Sequence, residues 1–234
     1  MLMIQHLKKE YSSKKGLHNL NLTLNKGDLC AFIGHNGAGK TTCLKCLAGI
    51  HPYDTGKITL NNVDLNNNPI AYKKQIAYVP DEPTIYPFLS GREYIQFIAD
   101  IFEIDITNKL EQLASLFEIT DALDLPIASY SHGMQQKIIL ISAFIHEPEL
   151  LILDEPFVGL DPKATITLKN LMRDYCQQGK IILFSTHVLE VAEKLATKAV
   201  IIKDGQVVIE DCMQNIIQSN SLEKVFLDTL NETC

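Results

Sequence analysis

The chain has 234 residues, 46 % of them hydrophobic, which excludes a disordered protein and suits one domain with an inserted lobe. Lysine and arginine total 21 against 28 acidic residues, a net charge of −7; no basic stripe marks a nucleic-acid face, so no nucleic-acid partner is expected. No apolar stretch reaches the roughly 18 residues needed to span a bilayer, and the start, "MLMIQHLKKEYSS", lacks an apolar run before a small-residue cleavage site, so an intracellular protein is expected, its membrane links made through a partner.

The N-terminal part reads as strands. Residues 19–24, "NLNLTL", alternate polar residues with leucine, the period of a half-buried strand. Lys26-Gly27 makes a turn, and "LCAFI", residues 29–33, is a short and fully apolar strand. A glycine-rich run follows, then a helix in "KTTCLKCLAGI" that ends near Gly49, then further strands in "GKITL" and "IAYVP".

The middle changes character. Tyr94, Phe97, Ile98, Ile101 and Phe102 recur at helical spacing and predict one apolar helix stripe. "NKLEQLASLF" predicts a second helix, with Asn108 as N-cap and Glu111 three residues on. Ser131 is placed to cap a third, "HGMQQKIILISAFIH". Strands then return. "LLILD" is a buried strand, Asp161-Pro162 opens a helix that Gly179 closes, "IILFST" is another buried strand, and "AVIIKDGQVVIE" is a hairpin on Asp204-Gly205. Strands alternating with helices predict an α/β sheet. The expected layout is one domain: a core of residues 1–84 and 141–210, a helical subdomain of 85–140 inserted into it, and an amphipathic tail of 211–234.

The six cysteines form no secreted disulfide framework. Cys43 and Cys46 are spaced C-x-x-C, but Gly39 and Lys40 hold the helix start where a redox pair would sit, and no second ligand pair is spaced for zinc. They are expected to be small buried residues on a helix.

"GHNGAGKTT" fits the phosphate-loop pattern through Gly34, Gly39, Lys40 and Thr41, and lies between a strand and a helix. Glycines let successive N–H groups of residues Gly34, His35, Asn36, Gly37, Ala38 and Gly39 turn inward, and the helix N-terminus adds a positive dipole end. Lys40 is expected on the β- and γ-phosphates, Thr41 on Mg²⁺ and Thr42 on the α-phosphate. "LLILDEP" ends a buried strand in two adjacent carboxylates. Burying both without partners is costly, and a divalent cation and a water relieve that. Asp154 is placed for the metal shell, and Glu155 for polarising an attacking water.

Three further strings narrow the field. "YSHGMQQ" begins a helix ahead of "LLILDEP" and resembles the LSGGQ-type signature of ATP-binding cassette (ABC) ATPases. "GLD", residues 159–161, resembles their D-loop, and "STH" resembles the segment ending in their switch histidine, here His187. Order and spacing match over essentially the whole chain. The resemblance implies a RecA-like phosphate-loop NTPase core with an N-terminal antiparallel β subdomain and the inserted helical subdomain. It also implies ATP hydrolysis with Mg²⁺ and head-to-tail pairing with a second cassette, identical or different. Ser131 and Gly133 would then meet the γ-phosphate in the other copy's site, Asp161 would bridge the two sites, and His187 would hold Glu155 and the water in line. Tyr11 matches the aromatic that stacks on adenine.

Two departures stand out. The signature has Tyr130, His132 and Met134 where leucine, glycine and glutamine are usual, so the His132 side chain must point away from the phosphate or itself meet it. The Q-loop glutamine should fall in "YVPDEP", where the matching residue is Asp81. Asp81 either ligates the metal or only shapes the loop.

"VPDEPTIYPFLSGREY" resembles the bacterial exporter branch, whose membrane subunits are separate chains. The resemblance implies an integral-membrane permease partner and a peripheral position on the cytoplasmic face of the cell membrane. The stretch Tyr86, Pro87, Phe88 and Leu89 either receives a short helix of that partner or packs in the core. The runner-up is a transporter-free ABC ATPase acting on ribosomes or DNA. A stand-alone nucleotide kinase ranks last, since it has no use for the signature or the histidine.

Overall fold

The computed structural model describes residues 1–11, 15–82, 84–218 and 220–231. In chain order the elements are β1 (Leu2–Glu10), β2 (Gly16–Leu24), β3 (Leu29–Ile33), α1 (Lys40–Leu47), β4 (Thr55–Leu60), β5 (Val63–Asp64), α2 (Pro69–Lys73) and β6 (Ile76–Val79). Three helices follow, α3 (Gly91–Phe102), α4 (Thr107–Leu116) and α5 (His132–Ile145). The chain then continues through β7 (Leu150–Leu153), α6 (Pro162–Gln177), β8 (Ile181–Ser185), α7 (Leu189–Leu195), β9 (Lys198–Lys203), β10 (Gln206–Cys212), α8 (Met213–Ile216) and α9 (Leu222–Asn231).

Two sheets form. The first is antiparallel with order β2-β1-β4-β5; the second has order β10-β9-β3-β8-β7-β6 and is parallel except for β10. The parallel strands are apolar throughout because both of their faces are covered. On β3, Leu29, Ala31 and Ile33 join the cluster that includes α5 and α6, while Cys30 and Phe32 join the cluster under α1 and the first sheet. β7 divides the same way, Leu151 and Leu153 to one side and Leu150 and Ile152 to the other. The α/β core with an antiparallel sheet and a helical insertion is the expected fold.

Local sequence explains most boundaries. Asp161 is the N-cap of α6, its Oδ1 accepting from the Ala164 N–H at 2.8 Å, with Pro162 in the first turn. Ser131 caps α5 and accepts from the Met134 N–H at 3.3 Å. Asp204 and Gly205 are both left-handed, φ 46° and 75°, as a two-residue hairpin turn requires. Cys43 and Cys46 lie buried, and burial pushes Cys46 up to about 11, which suits inert packing.

Two helix expectations need correction. α4 begins at Thr107, one residue before the expected cap; the start is held by Asp105, whose carboxylate accepts from the Thr107 N–H and hydroxyl, and Asn108 is inside the helix. On α3 the deeply buried residues are Gly91, Ile95 and Ala99, whereas Phe97 and Ile101 of the expected stripe are exposed. The tail is less peripheral than its position suggests. β10 takes its first two residues, and Leu222 of α9 is fully buried in the larger cluster. α5 also runs unbroken past residue 140, where the helical insertion was expected to end.

Candidate functional site

β3 ends at Ile33 and the chain turns back on itself before α1. The turn is built for residues without side chains. A methyl group on Gly34 would stand 2.6 Å from the Ile202 carbonyl oxygen, and Gly37 and Gly39 hold φ of 85° and 107°. Gly39 also meets Gly16 of β2 and Gly205 of the hairpin, so three backbones converge where none carries a Cβ. Gly205 N–H donates to the Ala38 carbonyl at 2.9 Å, and the Gly205 carbonyl accepts from His18 N–H at 2.8 Å. His35 turns to the same hairpin, its Nε2 3.7 Å from Asp204, while its Nδ1 lies 2.8 Å from the Asn36 carbonyl.

This turn forms one wall of a cavity of about 480 Å³. Asn36, Gly37, Gly39, Lys40, Thr41 and Thr42 line that wall; Tyr11, Lys15 and Gly16 face it; Asp81, Asp154 and Glu155 complete it. Lys40 is 8 % exposed, and its ammonium donates to the Gly34 carbonyl at 2.6 Å and the His35 carbonyl at 3.3 Å. Burial lowers its pKa, while Glu155 and then Asp154 act in the opposite sense. Tyr11 stands at the rim, 42 % exposed, with the Lys9 ammonium 5.7 Å from its ring centre.

The two carboxylates at the end of β7 are held differently. Asp154 is 1 % exposed; its Oδ1 accepts from the Ser185 hydroxyl at 2.6 Å, and its buried Oδ2 has no partner among the described residues. Glu155 sits in the left-handed region at φ 49°, an unusual state for a residue with a side chain. Its N–H donates to the Ser185 oxygen at 2.9 Å, and its Oε2 lies 3.0 Å from His187 Nδ1. Ser185 thus ties both acids to β8. Sequence reasoning overlooked it; its only signal was a hydroxyl residue at the end of an apolar strand. Lys15, Gly16 and Gly205 were also overlooked, because their approach to the loop is a property of the folded chain alone.

Asp81 reaches the same cavity. Burial raises its pKa, as do Asp154 and Glu82, with His187 acting against them. Among the described residues no three Asp, Glu, His or Cys side chains converge closely enough to hold a metal ion by themselves. The orphaned Asp154 oxygen is nonetheless a position that a cation suits, provided that other oxygens complete the shell.

Ser131, Gly133 and Asp161 do not line this cavity. They gather elsewhere, around the N-termini of α5 and α6, where a methyl group on Gly133 would lie 2.9 Å from the Gly159 carbonyl oxygen. Tyr130, ahead of them, is buried, and its hydroxyl donates to the Ala122 carbonyl. A separate apolar hollow of about 380 Å³ is lined by Tyr86, Phe88, Leu89 and Phe97. Phe88 is 93 % exposed, so it is not a core residue.

Comparison with known proteins gives the family. The family model described as ABC transporter matches residues 17–158. The ABC-type transporter ATP-binding protein EcsA of Bacillus subtilis is 30 % identical over 98 % of this chain and 94 % of its own length. The SkfA peptide export ATP-binding protein SkfE of the same species is 31 % identical over 88 % of this chain and 87 % of its own. A solved structure described as the ATP binding subunit of an ABC transporter superposes with a TM-score of 0.94 at 31 % identity, covering 98 % of this chain and 99 % of that one. A dimeric cassette bound to ADP and Pi shares the fold, with a TM-score of 0.78 at 21 % identity over 91 % of this chain and 99 % of that one. The chain belongs to the ABC transporter family and is one of its ATP-binding, ATP-hydrolysing cassettes.

Proposed function

We propose that this cassette powers an exporter. ATP would be clamped between the phosphate loop of one protomer and the Ser131-led helix of a second cassette, identical or different. The observation that carries the hydrolytic part is the pair Asp154 and Glu155, set on Ser185 in the cavity that Lys40 also lines, with His187 on the Glu155 carboxylate. The separation of Ser131, Gly133 and Asp161 from that cavity supports a site completed by another chain. Exposed Phe88 and its neighbours supply a surface for an integral-membrane subunit, which would hold the protein peripherally on the cytoplasmic face of the cell membrane. The name of SkfE, a peptide export protein, supports the exporter reading.

Each residue then has a physical task. Tyr11 stacks on adenine. The N–H groups of residues 34–39, Gly34, His35, Asn36, Gly37, Ala38 and Gly39, and the start of α1 receive phosphate oxygens. Lys40 leaves the loop carbonyls for the β- and γ-phosphates, and Thr42 binds the α-phosphate. Thr41 and the free oxygen of Asp154 hold Mg²⁺, with Asp81 beside them; the ion supplies neutralisation of phosphate charge. Glu155 takes the proton of the attacking water while His187 holds its carboxylate and contacts the γ-phosphate. From the other chain, Ser131 and Gly133 meet that phosphate, and Asp161 bridges the sites.

The test is Glu155→Gln. With magnesium and ATP it is expected to sediment as a dimer and to lose turnover by about 10²-fold or more. A variant that hydrolyses ATP at the wild-type rate removes Glu155 from the base role. Co-purification of the native protein with a polytopic membrane protein supports transport; co-sedimentation with ribosomes instead overturns it.

A further inference from the structure

We propose that His132 is a positioning residue, a flat wedge that locks the N-terminal turn of α5 to the turn at residues 159–161 so that both present to the second cassette as one body. The inference rests on the paired-cassette reading above and concerns how that pairing is organised.

Three observations converge. First, a methyl group on Gly159 would stand 2.5 Å from Cδ2 and 2.8 Å from Nε2 of His132, so the imidazole lies against bare glycine backbone. Gly159 holds φ 80°, which also excludes most side chains there. Second, Gly133 closes on the same residue, where a Cβ would be 2.9 Å from the Gly159 oxygen. Third, one turn along α5, Lys137 is largely buried and pairs with Asp161 Oδ2 at 2.8 Å, while Asp161 Oδ1 caps α6. Ring, glycine and ion pair therefore tie the start of α5 to the start of α6 at successive points. His132 is itself exposed, at the first position of its helix, so the ring is not required to fill the core.

The physical consequence is pre-organisation. A surface whose two halves are already fixed loses less conformational freedom when a partner docks on it. The residue expected beside Ser131 on resemblance is a glycine; here a side chain occupies that position and points along its own chain.

Two variants test this. His132→Ala removes the ring from a helix position that alanine suits, and His132→Phe keeps a flat ring without nitrogens. In nucleotide-free protein, amide exchange of residues 157–161 is expected to rise by about 10-fold in His132→Ala and to stay at the wild-type rate in His132→Phe. In a Glu155→Gln background with magnesium and ATP, His132→Ala is expected to weaken dimerisation by about 10-fold. His132→Phe is expected to restore it, and ATP affinity of the undimerised chain is expected to stay unchanged. Unaltered exchange in His132→Ala overturns the wedge, as does fast exchange in both variants. Faster exchange with unaltered dimerisation overturns its role in pairing. If Glu155→Gln alone never dimerises, the paired-cassette reading fails instead, and the exchange data still judge the wedge.

Discussion

Asp154 and Glu155 are adjacent in the chain, yet one is sealed in and the other reaches outward. Their difference comes from the backbone between them: β7 ends, Glu155 flips to φ 49°, and its carboxylate swings to His187 while Asp154 stays buried. Ser185 sustains both positions by donating to Asp154 and accepting from the Glu155 N–H. Ser185→Ala leaves a buried carboxylate oxygen and an N–H without partners, a loss of about 1–3 kcal/mol. Urea unfolding is expected to show that loss, with lower turnover; unchanged values of both would remove Ser185 from this role. The acids were legible from their setting at the end of an apolar strand, and so was the glycine turn. The serine was not, because a strand hydroxyl looks the same in sequence whether it points at a carboxylate or at a backbone carbonyl.

Helices and strands were legible wherever local chemistry sets them. Caps at Ser131 and Asp161, the Asp204-Gly205 turn and the all-apolar strands are short-range signals. Which part of the apolar face of α3 is buried was not, since that face is broad, running from Phe97 round to Ala99, and tertiary contacts choose its Ile95 and Ala99 edge. The cap of α4 was misplaced because Asp105 and Asn108 both suit the role. The end of α5 carries a pH-dependent joint. His146 stacks on Phe102 at 3.9 Å and 15°, and its Nε2 lies 3.1 Å from the Ile76 carbonyl of β6. Burial lowers its pKa from 6.5, against the hydrogen bond to the Ile76 carbonyl, which raises it. The folded state thus binds its proton less readily than the unfolded chain. The stability this confers is complete above the unfolded value and is lost as pH falls from there through the lower folded value. His146→Gln is expected to flatten the stability profile between pH 7 and 5, by up to about 1.4 kcal/mol per pH unit. An unchanged slope in chemical denaturation would locate the effect elsewhere.

At the scale of the whole molecule, two surfaces matter. One presents Ser131 and Asp161 away from the nucleotide cavity; the other presents Phe88, Tyr86 and Phe97, with Tyr86 edge-on to Phe97 at 5.9 Å. Large apolar side chains held this openly serve as anchors for a partner. Phe88→Ser is expected to weaken co-purification with the membrane subunit by about 10-fold or more and to leave ATP binding as it was. Full retention of the complex would assign docking to another face. Motif order made the family legible, but neither the exposure of Phe88 nor the meeting of Gly16, Gly39 and Gly205 is written in local pattern.

The strand that carries the phosphate loop, β3, lies between β8 and β9 in the sheet, and the loop itself leans on the hairpin after β9. During synthesis, therefore, the loop is made early, but its strand's sheet neighbours and the hairpin it leans on come from the last third of the chain. The complete binding site therefore has to await the C-terminal strands.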